Sequence, residues 1–330
     1  MKITAIETLH CDAGWRNFSF CKITTDSGLV GWSEYQEGFG SPGVSAAIEG
    51  LAHLVIGEDP RANERIYWLL YAATRPAAGG VVGQALGAIE NALLDVKAKH
   101  YGIPVYELLG GPFRQRIRVY WSHCGTYRVM RPDVHDAPPL TSLDEVRALG
   151  REVRDKGFGA LKTNVFMFDR TPALWAPGFN MPSDHPELNA DRPVIAALTA
   201  QLEAFREGAG PDMDILLDLN FNFRTEGLLK IVEAVAALDL FWIEIDSYDA
   251  EALATVRRAS TTPISGCETL FGIREFKPYF AAQSIDVAII DAVWNGVAQS
   301  MKIAAMAEAY EVNMAPHNFY GHLSTMMNAH

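Results

Sequence analysis

The chain is short of the features that mark several protein classes. Its 330 residues include 4 cysteines (Cys11, Cys21, Cys124 and Cys267), none in a CxxC or zinc-like spacing. That leaves neither a zinc motif nor a disulfide framework to organise the fold, and reduced thiols in a cytoplasmic protein are the expectation. Cys11 and Cys21 could face each other across a hairpin, but nothing in their spacing favours a disulfide. Basic residues are also scarce: 28 Lys and Arg against 40 Asp and Glu give a formal charge of −12. With no basic block to offset that charge, a nucleic-acid surface is excluded. No apolar run is long enough to span a bilayer, and the opening MKITAIETLH lacks the apolar centre of a signal peptide, so no membrane partner is expected. There is no low-complexity segment. What remains, 49% hydrophobic and 21% charged, suits a soluble globular protein large enough for a barrel plus a smaller domain.

The most informative stretch is Asp214–Phe223, DILLDLNFNF. The apolar run Ile215-Leu216-Leu217 leads into Asp218, with Asn220 and Asn222 at alternate positions, so all three polar side chains share one face of an extended segment. A short apolar run ending in a carboxylate and amides predicts a buried strand whose C-terminal tip carries chemistry. The pattern recurs in FWIE at Glu244, PISGCE at Glu268, VAIID at Asp291 and MAPH at His317, at spacings of 26, 24, 23 and 26 residues. A period of about 25 residues fits one strand, one helix and two loops, the unit of a parallel α/β barrel. Polar residues at successive strand tips of such a barrel converge on one mouth.

Upstream, residues 1–10 and 18–35 read as strands, with a hairpin turn at Thr25-Asp26-Ser27-Gly28 and a short connection, Asp12–Asn17, carrying Trp15 and Arg16. From Val44 to about Leu109 the pattern is helical, and Ala85, Ile89, Ala92, Leu93 and Val96 fall on one helix face. Gly110-Gly111-Pro112 stops it and marks a domain boundary, dividing the chain into 1–112 and 113–330. Ile117–His123 is the expected first barrel strand. Leu143 onward is the first barrel helix, with Ser142 and Glu145 as a capping box, and GALKTNVF is a second strand carrying Lys162 and Asn164. Thr171–Asp191, with four prolines, reads as a long irregular loop of the lid or specificity kind.

Taken together, the N-terminal hairpin, the stretch AIENALLDVKAKHYGIPVYELLGG and the ordered strand-tip residues resemble the enolase superfamily, and within it the mandelate racemase-like branch of acid-sugar dehydratases and racemases. The resemblance implies an α/β fold, a modified TIM barrel (β/α)7β under an N-terminal α+β capping domain. It implies Mg²⁺ as cofactor, with Asp218, Glu244 and Glu268 as its ligands; an all-oxygen set suits that ion. It makes Lys162 the first lysine of a KxK motif that assists the substrate carboxylate, Asn220 a neighbour of the metal site, and Asp291–His317 the dyad of strands six and seven. His317 would abstract the α-proton of a carboxylate substrate, with an enediolate as intermediate and Asp291 fixing the tautomer. Trp15 and Arg16 would reach over the mouth; Arg suits a distal carboxylate. Tyr320, Trp294, Asn222 and His322 are expected to support or pack around the site, and His123 and His185 are not assigned to it.

Four departures sharpen the expectation. Asn164 stands where a second lysine of the KxK motif would be, and an amide cannot remove an α-proton, which favours one-base elimination over racemisation. Glu244-Ile245-Asp246 replaces the family's Glu-Glu-Pro or Glu-Gln-Pro. Val297 follows Gly296 where a second glycine is usual. An eighth strand bearing a Glu is expected beyond His330, so the natural protein is expected to continue. The expected function is therefore a Mg²⁺-dependent dehydratase of an aldonate or aldarate giving a 2-keto-3-deoxy acid. A racemase, epimerase or lactone cycloisomerase on the same scaffold and an inactive carbohydrate-acid binding protein stand as alternatives. The expected partners are a small carboxylate substrate and further copies of the chain in a homo-oligomer.

Overall fold

The computed structural model describes residues 1–38, 40–134, 136–169, 171–179 and 188–330. Strands β1 (Ile3–Asp12), β2 (Asn17–Thr25) and β3 (Val30–Tyr35) form an antiparallel sheet in that order. The β2–β3 turn closes where expected: Gly28 N–H donates to Thr25 O at 3.1 Å, and Gly28 takes the left-handed φ of +81° typical of the last position of a three-residue hairpin loop. The helical stretch that follows resolves into α1 (Val44–Val55), α2 (Asn63–Thr74), α3 (Gly80–Tyr101) and the single turn α4 (Val105–Leu108). Ala85, Ile89, Ala92, Leu93 and Val96 of α3 are all buried, packed with Ile23, Ile48 and Ile66 in a core between this sheet and its helices. Cys21 is buried in that core while Cys11 is exposed, and all four thiols are free.

The rest of the chain builds a curled parallel sheet. α5 (Thr126–Met130) and α6 (Leu143–Asp155) precede β4 (Ala160–Thr163); β5 (Phe166–Met167) and β6 (Ala173–Leu174) pair antiparallel. α7 (Arg192–Ala209), β7 (Asp214–Asp218), α8 (Thr225–Ala234), β8 (Trp242–Glu244), α9 (Ala250–Ala259) and β9 (Ile264–Gly266) then alternate. The run closes with α10 (Gly272–Ala281), β10 (Val287–Ile290), α11 (Ala292–Asn295), α12 (Val297–Ala309), β11 (Asn313–Pro316) and α13 (His322–Ala329). Six strands are hydrogen-bonded in the order β4-β7-β8-β9-β10-β11, all parallel. Side chains alternate across this sheet. Leu161, Ile215, Leu217, Ile243 and Ile245 face the helices, whereas Ala160, Leu216, Trp242, Val287 and Ile289 face the inside of the curl. No helix of the described residues is long and apolar enough to cross a membrane.

Two expectations need correcting. Ile117–His123 is not a strand: only Trp121 bridges to Leu161, and Ile117 and Val119 are exposed. Its hydrogen bonds to β4 begin at Trp121 N–H, so the segment has a partner along one side for part of its length, too little to order a ladder. Among the described residues the sheet is accordingly open, with β4 and β11 at its edges. The end of GALKTNVF also leaves the sheet: Phe166–Met167 turns away to pair with Ala173–Leu174, so the start of the loop after it is a small hairpin rather than irregular chain. Pro182, Pro186 and His185 lie outside the described residues. The capping box at α6 is present in altered form. Ser142 Oγ accepts from Glu145 N–H at 3.4 Å, while Glu145 turns back to the backbone and hydroxyl of Thr141.

Candidate active site

The strand-tip residues do converge. Asp218 ends β7 and lies in register with Glu244, which ends β8. Glu268 follows β9 by two residues, and Asp291 and His317 each follow their strand by one. Lys162 points inward from β4, and its ammonium lies 2.9 Å from both oxygens of Glu244 and 3.2 Å from Asp218 Oδ2. On the other side His317 Nδ1 is 2.7 Å from Asp291 Oδ2, and Nε2 is 3.4 Å from Glu268 Oε1. Three residues bordering this mouth, His123, Asn220 and Cys267, hold left-handed φ values of 49°, 48° and 78°. Non-glycine residues pay for that conformation, and such outliers gather at functional sites.

The electrostatics are those of a buried acidic cluster with too few cations. Burial favours the neutral form of Glu244 and, with help from Asp218 and Glu268, pushes its pKa up to about 7 although Lys162 opposes the shift. Burial likewise raises Glu268. The same burial works against the Lys162 ammonium, but Glu244 and Asp218 outweigh it and hold its pKa well above the ordinary value. His317 is also raised, to about 9: desolvation opposes its charge, and Glu268 followed by Asp291 more than compensates.

Asp291 is fully enclosed and heavily used. Oδ1 accepts the backbone N–H groups of Val293 and Trp294 at 2.7 and 2.9 Å, capping α11, and Oδ2 takes both His317 and the Tyr320 hydroxyl. A carboxylate only accepts hydrogen bonds, so the proton of a neutral His317 sits on Nδ1 and Nε2 is left with its lone pair facing the mouth. Asn164 is occupied as well. Its amide nitrogen donates to Asp218 O and Asn220 Oδ1 at 3.3 and 3.2 Å, and its oxygen accepts from Thr126 Oγ1 at 2.7 Å. Asn220 N–H donates in turn to Asp218 Oδ1 at 3.1 Å.

Trp15 and Arg16 belong to the rim above the carboxylates. They sit on the β1–β2 connection, where the Arg16 guanidinium lies 4.8 Å from the ring centre of Phe319, two residues past His317, and 5.2 Å from that of Trp15. Of the other named residues, Trp294 stacks on Phe271 at 5.7 Å, His322 is exposed at the start of α13, and Asn222 Oδ1 accepts from Gly178 N–H, pinning the loop ahead of α7. His123 is packed against Phe319 and Tyr127, and burial lowers its pKa to about 4.

One participant was expected only in a supporting place, and another went unassigned from sequence. The Tyr320 hydroxyl completes the set on Asp291, a contact across 29 residues that no local spacing signals. Asp246 joins the acidic cluster, and its position two residues after Glu244 is a signal that alternation could have yielded.

Among the described residues no three His, Cys, Asp or Glu side chains are gathered tightly enough to hold an ion as they stand, and Lys162 lies against two of the carboxylates. The donor chemistry nonetheless fits a hard divalent cation. It consists of carboxylate oxygens alone, in excess of the positive charge beside them, and Asp246 Oδ1 is buried without a hydrogen-bond partner among the described residues.

An antiparallel sheet and helices lying over the tips of a curled parallel sheet, with acids and a His–Asp pair at those tips, define an enolase-like architecture. The chain belongs to the mandelate racemase/muconate lactonizing enzyme family: the family's N-terminal domain matches residues 4–110, and the enolase C-terminal domain-like model matches 145–330. A relative named D-galactonate dehydratase from Xanthomonas euvesicatoria pv. vesicatoria is 30% identical over 320 residues, covering 96% of this chain and 75% of its own. A crystal structure from Burkholderia xenovorans strain LB400, provisionally described as an L-alanine-DL-glutamate epimerase, is 57% identical with a TM-score of 0.97, covering 99% of this chain and 83% of that one. A second structure under the same description, bound to magnesium and fumarate, is 58% identical with a TM-score of 0.96, over 99% of this chain and 81% of that one.

Proposed function

We propose that this chain is a Mg²⁺-dependent dehydratase of a sugar acid, an aldonate or aldarate, with residues 1–112 as capping unit and 113–330 as barrel. Asp218, Glu244 and Glu268 would hold the cation, and His317 would be the base. The observation that carries this reading is the His317–Asp291 pair, whose Nε2 faces the acidic cluster, set against the two second-strand positions Lys162 and Asn164, neither of which is a free base. Asn164 cannot take a proton, and Lys162 is held between Asp218 and Glu244. A bound divalent cation supplies positive charge against the anion that develops as the α-proton leaves.

The chain's own residues then account for the rest. Asp291, fixed by four donors, keeps the imidazole in one tautomer and orientation. Nε2 takes the proton from Cα; the β-carbon–oxygen bond breaks, and the same proton leaves with the hydroxyl as water. The remaining enol tautomerises to the 2-keto-3-deoxy acid, so the balance is loss of one water. Lys162 would meet the substrate carboxylate, Asn164 and Asn220 would hold the edge of the pocket beside Asp218, and Trp15 and Arg16 would close over the far end of the substrate.

The named dehydratase relative supports this reading. The description of the Burkholderia protein supports a second one, epimerisation at Cα of a dicarboxylate or dipeptide. Proton NMR in D₂O with Mg²⁺ separates them, using aldonates, aldarates and L-alanyl-glutamate. Loss of an α-proton signal together with a new 2-keto-3-deoxy product is expected. Solvent deuterium at Cα with an epimeric product and no elimination would overturn the dehydratase in favour of the epimerase.

A further inference from the structure

Asp246 is the one acidic side chain of the cluster that the reaction above leaves unused. On β8, Trp242 faces the inside of the curl with Leu216 and Ile289, while Ile243 and Ile245 pack outward beneath the helices. Alternation therefore puts Glu244 and Asp246 on the same inward face as Trp242. The backbone holds that course beyond the last residue of the strand: Ile245 N–H donates to Ser265 O at 2.9 Å and Asp246 N–H to Asn220 O at 3.2 Å. The Asp246 side chain is 7% exposed, and its Oδ1 is buried with no hydrogen-bond partner among the described residues. Burial and the neighbouring carboxylates of Glu268, Asp218 and Glu244 disfavour its charged form, and Lys162 opposes them. A buried carboxylate oxygen with no donor and three like charges around it is a poor arrangement unless positive charge is brought to it.

We propose that Asp246, through its unpartnered Oδ1, is a fourth carboxylate donor to the divalent cation held by Asp218, Glu244 and Glu268. The inference rests on the cation site proposed above. It gives the unusual Glu244-Ile245-Asp246 sequence a purpose, since a further anionic oxygen tightens the grip on a hard cation. It also makes two predictions of opposite sign. In the absence of a divalent ion Asp246 adds a buried repulsion, so neutralising it should raise the melting temperature. In the presence of Mg²⁺ it contributes to binding, so neutralising it should weaken affinity. A side chain with only a packing role would not produce both.

The test is calorimetric titration of Mg²⁺ into the full chain, the near-isosteric Asp246→Asn variant and Asp246→Ala, with melting temperatures in EDTA and in excess Mg²⁺. The expected result is a Kd about 10–100-fold weaker in both variants, with the melting temperature of Asp246→Asn in EDTA above that of the parent. A parent that binds Mg²⁺ and variants that bind it within twofold would overturn the role of Asp246 while leaving the cation site intact. A parent that does not bind Mg²⁺ would overturn the cation reading itself, and with it this inference.

Discussion

A histidine becomes a directed base only when something decides which nitrogen carries its proton, and here that is settled by one carboxylate with no free capacity. Asp291 accepts two backbone N–H groups on Oδ1 and two side-chain donors on Oδ2, so it can neither rotate nor trade partners without leaving buried donors unmet. His317→Asn keeps a side chain able to hydrogen-bond Asp291 but has no nitrogen that can take a proton. Turnover of the substrate found by NMR should fall about 10²–10⁴-fold, the usual worth of a positioned base. The rise in melting temperature on adding Mg²⁺ should be preserved, because Glu268 stays in place. Turnover within tenfold of the parent would remove His317 from the role of base.

At the scale of elements, the site depends on strands that approach one another unusually closely. Gly266 ends β9, and a Cβ built there would lie 2.4 Å from the carbonyl oxygen of Ile245, a backbone atom that cannot move aside cheaply. Gly266→Ala should push β9 away from β8 and displace Glu268; the expected loss is about 1–3 kcal/mol by chemical denaturation, the usual cost of overpacking, together with weaker Mg²⁺ binding. An unchanged midpoint would show that the strands tolerate the separation. Helix α6 is tied down differently, by Arg128 of α5 forking onto both oxygens of Glu152 at 2.8 and 2.9 Å, with Lys156 at 2.9 Å. Those bonds, Arg128 first, lower the Glu152 pKa to about 2. A depressed carboxylate pKa stabilises the fold fully above its unfolded value near 4.5 and loses that stabilisation as pH falls toward 2. Glu152→Gln should therefore cost about 1–2 kcal/mol at pH 6, allowing for partial solvent screening, and the gap to the parent should narrow steadily between pH 4.5 and 2.5. A gap independent of pH would mean that the ion pair contributes nothing of this kind. These elements also show where sequence suffices. Strands β7 to β11 were legible because each is an apolar run ending in a polar tip, a signal carried within a few residues. The failure of Ile117–His123 to form a strand was not, because a strand needs partners elsewhere in the chain and its own β-prone residues do not reveal them.

On the scale of the whole molecule, the tips are held from outside the sheet. Glu34 of β3 accepts from the backbone N–H groups of Gly321 and Ser324 at 2.6 and 2.9 Å, supplying the N-terminus of α13 with the anion that favours it. Helix α3 rides directly on the turn that follows Asp291. A Cβ at Gly87 would meet the carbonyl oxygen of Trp294 at 2.7 Å, and the amide of Asn91 bridges the start of α11 to the start of α12, donating to Ala292 O at 2.9 Å and accepting from Val297 N–H at 2.7 Å. The apolar face of α3 was legible from its period, but these polar links were not: a buried Asn or Glu within a helical pattern does not name a partner some two hundred residues away. Asn91 takes no part in the chemistry, yet it fixes the turn whose N–H groups donate to Asp291 Oδ1. Asn91→Ala would leave one buried donor and one buried acceptor unmatched, which should cost about 2–4 kcal/mol. Because the link joins the two halves rather than completing either, the loss should appear in urea as a lower midpoint or as a split of one transition into two. A decline in turnover should accompany it, as Asp291 and with it His317 lose their fixed orientation. A variant that unfolds at the parent's midpoint in a single transition would show that the packing of α3 alone holds the halves together and that the amide bridge is incidental.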